Sequence, residues 1–339
     1  MVTEAPATRE VADYKEISAS GRRYRLQQSA IDIAILFVGL QILSVIFALV
    51  DPSRFAYLNS ANITVALQNI PLLGIPALGV GILMIAGEFD LSVGANYIFS
   101  SIVVGQLSAN GMNQWLAVLV GLIAGTVIGL LNGVITLKLK IPSFITTLGT
   151  LGIWNAATLF YHGASSQTYT PTGILNSLLN GNFGPVPAPA IWMLVLAVGC
   201  YALLQRHRIG NHVFASGGGP AAANATGVNV VRTKMLAFGI TGFMAAVGGI
   251  LAAASVGNIA PASADSLALN AIAACVVGGL LLTGGKGTVL GIVIGAFLLY
   301  WIQDVLLLLG APGFYLSAFV GALIIAASVF YRVISTRRV

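Results

Sequence analysis

Apolar runs of about twenty residues recur along this chain from Ile31 nearly to its end, divided by short polar stretches. That alternation constrains the fold more tightly than any single motif, because about twenty apolar residues make one membrane-crossing helix. Ten runs qualify, near 31–50, 63–86, 93–110, 115–137, 143–162, 190–205, 231–256, 267–283, 288–309 and 314–334. The 339 residues are 57% hydrophobic and only 8% charged, against about 25% charged in a soluble domain. The expected fold is therefore an all-α polytopic membrane protein of about ten transmembrane helices, in which each helix satisfies its own backbone. The third and eighth runs are short and flanked by glycine and polar residues, so they read as broken or re-entrant helices.

Basic residues orient the spans. With ten spans and residues 1–30 forming a cytoplasmic N-terminal segment, the inner loops hold Lys138, Lys140, Arg206, Arg208, Arg232, Lys234 and Lys286. Both tails, the second being 335–339, are then also cytoplasmic, and of the 16 Lys and Arg only Arg54 falls outside. The net charge of +6 thus reflects orientation in a bilayer. It does not indicate a nucleic-acid surface, since no basic patch is interleaved with a readable fold. Residues 1–30 are polar and mixed in charge and do not read as a signal peptide. Cys200 and Cys275 lie inside apolar runs and read as packing residues.

Two loops are long. The outer one, roughly 163–189, is uncharged and rich in Gly, Pro, Asn, Ser and Thr, which suits an ordered cap with turns. The inner one spans about 206–230. Its centre suits a short helix from Pro220 to Thr226, with proline at the first helical position and Gly227 as the stop. A short helix held between two spans is a shape that docks into another protein.

The sequence carries no recognisable catalytic constellation. "TGGKGT" at 283–288 lacks the first glycine of a phosphate loop, which would fall on Leu280, and Gly287 replaces the needed Ser or Thr. His162, His207 and His212 have no Cys or carboxylate at ligand spacing, so no metal site is expected. No nucleophile elbow appears. What remains is a set of polar side chains within apolar runs, including Asn69, Asn96, Trp154, Asn155, Gln303 and Asp304. Such groups face the bundle interior or a wet path. Neutral hydrogen-bonding groups beside aromatics suit an uncharged, hydroxyl-rich solute, while each taken singly also suits packing between helices.

The turn "GEFDLSVG", residues 87–94, holds two carboxylates. Asp90 precedes the third run and can cap its helix, with Gly87 and Gly94 allowing tight re-entry into the bundle. Binding of a cation is the alternative for Asp90. Glu88 reads as a loop acid with an inner Lys or Arg as partner.

The same turn resembles the Gly-Gly-Ile-Asp-Leu-Ser-Val-Gly signature of sugar ATP-binding-cassette permeases, in the branch that carries ribose, xylose, arabinose and galactosides. Three further blocks are similar to that family: "LLNGVITLKLKIPSFITTLGTL" (130–151), "GNHVFASGGGPAAANATGVNVVRTK" (210–234) and "LNAIAACVVGGLLLTGGKGTVLGIVIGA" (269–296). The sequence departs at Glu88-Phe89, where Gly-Ile is usual, at Gly219-Pro220, where Asn-Glu is common, and at Gln303-Asp304, where Asn-Gly is frequent. The resemblance implies a permease subunit in a bacterial inner membrane that binds no cofactor of its own. ATP and magnesium would sit on partner ATPase subunits, and solute would arrive from a periplasmic or lipid-anchored binding protein. A second permease copy, identical or similar, is implied, within the lipid bilayer and without nucleic acid. ATPase contact falls on Ala215, Ser216, Gly217, Pro220, Ala222, Ala223 and Gly227. A stand-alone secondary transporter or channel is the alternative; it would need a membrane-embedded ion site, whereas Asp32, Glu88, Asp90 and Asp304 all lie near span ends.

Overall fold

The computed structural model describes residues 35–325, except positions 36, 53, 54, 262, 263, 265, 313, 316, 323 and 324. The expected terminal segments 1–30 and 335–339, and much of the tenth run, lie outside the described residues.

Among the described residues, twelve helices have defined bounds, in order: α1 Phe37–Val50, α2 Ser60–Ile85, α3 Val93–Ala109, α4 Gln114–Leu139, α5 Ser143–His162, α6 Gly173–Asn180, α7 Ala188–Tyr201, α8 Arg208–Gly218, α9 Pro220–Ala225, α10 Val230–Val256, α11 Leu267–Val277 and α12 Val289–Leu308; further helical residues lie within 314–322. A single π turn, Ala202–Arg206, extends α7. Among the described residues, five segments are long and apolar enough to cross a membrane: α2, α4, α7 with its π turn, α10 and α12. Of the roughly ten spans expected, these five are full-length; the other apolar helices with stated bounds are shorter or less apolar. The third run forms α3, of 17 residues, and the eighth forms α11, of 11. At 1.5 Å per residue, α11 covers roughly 16 Å, about half the hydrocarbon core. Its polypeptide approaches through the bundle interior, since a Cβ built on Gly94 of α3 would meet the Ala264 carbonyl at 2.3 Å.

Helix starts follow local chemistry. Asn59 accepts from the Ala61 amide at the start of α2, Asn113 from Trp115 and Leu116 at α4, and Asn229 from Arg232 at α10. Small residues then set the packing. On α4, Gly121, Gly125, Gly129 and Gly133 recur every fourth residue and form one face. That face lies against α10: a Cβ on Gly129 would meet the Phe238 carbonyl at 2.3 Å, and one on Gly242 the Gly125 carbonyl at 2.3 Å. Backbone contact of this closeness is how helices associate where lipid removes the hydrophobic incentive. α10 also packs on α2 and α3, and α12 on α2 and α11. The second half of α2 and most of α3 and α11 are buried. By contrast α4, α5 and α7 expose Leu119, Ile123, Ile153, Phe160, Leu194 and Val198, the surface expected of a protein bathed in lipid.

The loop of roughly 163–189 is ordered. β1 (Gln167–Thr168) pairs antiparallel with β4 (Asn258–Ile259), with Gln167 opposite Ile259. A small hairpin of β2 (Asn182–Phe183) and β3 (Val186–Pro187) follows α6. The Gln114 side chain accepts from the Thr172 amide at 3.0 Å and fastens this loop to α4.

Candidate functional site: the acidic turn and the helices docked on it

Residues 86–92 carry the chain from α2 into α3, and five other segments converge on them. Gly87 has φ +83°, a conformation that favours glycine, which reverses the chain after α2. The last carbonyl of α2, on Ile85, accepts from the Gly285 amide at 2.8 Å. The end of α8 presses into the same place: a Cβ on Gly217 would lie 1.9 Å from the Ile85 oxygen and 2.7 Å from the Gly285 nitrogen. Only a bare backbone fits there. On the other side, the Phe89 amide donates to Ser143 Oγ at 3.1 Å and the Leu91 amide to Thr147 Oγ1 at 3.0 Å, both on α5. Glu88 pairs with Lys234 of α10 at 2.6 Å, both side chains largely shielded.

Asp90 is 1% exposed. Its Oδ1 accepts from the Ser92 amide at 2.8 Å and the Ser92 hydroxyl at 2.6 Å, and both carboxylate oxygens accept from Asn132 Nδ2 of α4. Asn132 also donates to Ser92 Oγ at 2.7 Å. The expected wet helix cap is therefore not what Asp90 makes. Ser92 occupies the N-cap position of α3, without a side-chain cap bond, and Asp90 closes a two-residue turn ahead of it while tying that turn to α4. The burial that this requires pushes the carboxyl above its ordinary pKa, opposed by the bonds from Ser92 and Asn132.

The loop of about 206–230 forms two helices where one was expected. α9 starts at Pro220 and is followed by Gly227 at φ +85°. α8, longer and capped by the His207 ring nitrogen accepting from Ile209, was not expected, and it carries Gly210 in its first turn and Gly217 and Gly218 in its last. The seven residues assigned to ATPase contact divide between these elements. Ser216 and Ala223 are buried and Gly217 is wedged against Ile85, so they face this chain's own bundle. Pro220, Ala222 and Gly227 are exposed, and Ala215 is half-buried.

The six residues chosen for a solute path do not converge. Asn96 is buried and its bonds are used: Nδ2 donates to the Gly125 and Gly242 carbonyls, and Oδ1 accepts from Ser100. Asn69 donates to its own helix at Val65. The Trp154 ring lies 5.1 Å from that of Phe99, joining α5 to α3, beside a half-exposed Asn155. Gln303 is exposed, while Asp304 is buried and accepts from Asn62 at 3.0 Å. A cavity of about 350 Å³ at the opposite end of the bundle is lined instead by Tyr97, Ser101, Ser166 and Asn258 among apolar neighbours. Tyr97 adjoins Asn96, one residue and about 100° further around α3. No group of metal-ligating side chains occurs among the described residues.

A multi-pass helical membrane protein, with a two-helix segment seated on the turn that joins α2 to α3, is the class these features define. The chain belongs to the family described as branched-chain amino acid transport system / permease component, which it matches over residues 62–328. It is a transport component rather than an enzyme. It is 33% identical over 292 residues to the ribose import permease protein of Bacillus subtilis (strain 168), covering 86% of this chain and 90% of that protein. It is 34% identical over 274 residues to the autoinducer 2 import system permease protein of Salmonella typhimurium, covering 81% and 79%. With the corresponding protein of Photorhabdus luminescens it shares 30% over 288 residues, 84% and 86% of the two chains. No solved structure matches the chain.

Proposed function

We propose that this chain is the membrane-spanning permease subunit of an ATP-binding-cassette importer for a monosaccharide or related polyol, working by alternating access. Membership of a transport permease family supports the permease role, and relatives named for ribose and autoinducer 2 import support the solute class. The observation that carries the mechanism is the seating of α8 on Ile85. α9 presents Pro220 and Ala222 outward, with Gly227 exposed just after it, while Gly217, just before it, touches the end of α2 and the 284–285 loop. Separate ATPase subunits, holding ATP and magnesium, would grip α9. Their closure would move the ends of α2 and α12 together through backbone contacts that have no side chain to yield.

In this reading the basic end of the bundle and both termini are cytoplasmic. A binding protein delivers solute to the opposite face, and a second permease copy completes the pathway. Asn69, Trp154, Asn155, Gln303 and Asp304 remain the proposed solute contacts, joined by Tyr97, Ser101 and Asn258; Asn96 is committed to packing. Reconstitution with its ATPase and binding protein tests the proposal. Sugar or polyol should stimulate ATP hydrolysis, and solute accumulation by the chain alone, driven by an ion gradient, would refute it.

A further inference from the structure

The lipid-facing side of the bundle carries an open groove of about 650 Å³ between α4, α7 and α10, walled by Leu130, Val195, Gly199, Leu236, Ile240 and Phe243. Its hydroxyl group, on Thr126, is spent on the Leu122 carbonyl of its own helix at 2.7 Å. A hydroxyl-rich solute would find no partner there, so the groove is separate from any sugar path. An apolar trough open to a bilayer fills with hydrocarbon, and its length states how much. From Leu236 to Met244 on α10, and from Val195 on α7 to Leu203 in its π turn, it runs about 12 Å. That fits within one leaflet of a core roughly 30 Å thick.

What lies past one end of the trough selects the headgroup. Arg206 follows Leu203 by three residues, and Arg232 precedes Leu236 by four, on the same face of α10. Lys138 lies eight residues beyond Leu130, near the C-terminal end of α4. All three are exposed, and none is salt-bridged among the described residues. Two arginines about 5 to 6 Å along their helices from the trough stand at headgroup depth, and guanidinium matches phosphate with paired donors. We propose that this groove is a binding site for an anionic phospholipid, with an acyl chain in the trough and the phosphate held by Arg206 and Arg232.

Native mass spectrometry of the full chain, purified in detergent and given phosphatidylglycerol or phosphatidylcholine of identical acyl chains, tests the site. Phosphatidylglycerol should be retained several-fold better. Arg206→Gln and Arg232→Gln should each lower that preference about fivefold, the effect of one basic charge near a lipid surface, with unchanged thermal stability. Gly199→Leu places a side chain in the trough, where a Cβ meets nothing within 4 Å, and should lower retention of both lipids. Equal retention of the two lipids by the unaltered chain would overturn the proposal, as would arginine variants with an undiminished preference. Loss of a dimeric mass in Gly199→Leu with the lipid count unchanged would assign the trough to a second copy instead.

Discussion

Lys234 Nζ lies 2.6 Å from Glu88 Oε1, joining the first turns of α10 to the bend between α2 and α3, residues 146 positions apart. With side chains only 11% and 14% exposed, removing one partner strands the other in a shielded place at a cost of ~3 kcal/mol. Glu88→Ala and Lys234→Ala should each lower the melting temperature clearly, while the double variant should lose less than the sum of the two. A thermal double-mutant cycle reads this coupling; strictly additive losses would show that the pair contributes nothing.

Gly217 separates a steric role from a conformational one. A Cβ there would sit 1.9 Å from the Ile85 oxygen, whereas one on Gly219 meets only Ala222 Cβ at 3.8 Å. Gly217→Ala should destabilise by ~3 kcal/mol or prevent assembly, at the upper end of overpacking costs, and Gly219→Ala should be nearly neutral. Expression and melting temperature of the two variants compare them directly.

Asp90→Ala removes the acceptor of Ser92 and Asn132 in a buried site and should cost about 1–3 kcal/mol. Asp90→Asn retains an acceptor for Ser92 and should keep most activity. A native pKa above the unfolded value, which is about 3.9, means that the protonated carboxyl suits the fold. The contribution is therefore largest at acid pH and fades as pH rises through the native pKa. Asp90→Asn, permanently neutral, should flatten that slope in melting curves recorded against pH.

Ala222 and Ala223 are adjacent, yet one is exposed and the other buried. Ala222→Asp should leave melting unchanged while abolishing copurification of the ATPase, because the new charge would be buried only in the partner's groove. Ala223→Asp should lower stability in the isolated chain. Normal copurification and transport in Ala222→Asp would remove α9 from the interface.

Asn96→Ala should lower thermal stability, since it breaks bonds to the Gly125 and Gly242 carbonyls, and should leave solute preference alone. Gln303→Ala, at an exposed position, should do the reverse: unchanged melting with altered transport or solute preference. Measuring both properties on both variants distinguishes packing residues from solute contacts.

What the sequence determined alone was what depends on composition and near neighbours. The scarcity of charge from Ile31 onward required helices in lipid. The brevity of 93–110 and 267–283 announced α3 and α11, and Pro220 with Gly227 marked the bounds of α9. The glycines spaced by four on α4 were not read as a packing face until the fold set α10 against them. Tertiary structure decided the rest. Asn96 was the candidate in sequence and its neighbour Tyr97 was not, but the rotation of α3 set by α4 and α10 turns Asn96 into a packing joint and Tyr97 toward a cavity. Asp90 had the chemistry of a cap, and only the approach of Asn132 made it a buried tie between elements. The junction of Ile85, Gly217 and Gly285 draws on residues as much as 200 positions apart. Propensity and capping act over a few residues, whereas such contacts exist only once whole helices have docked.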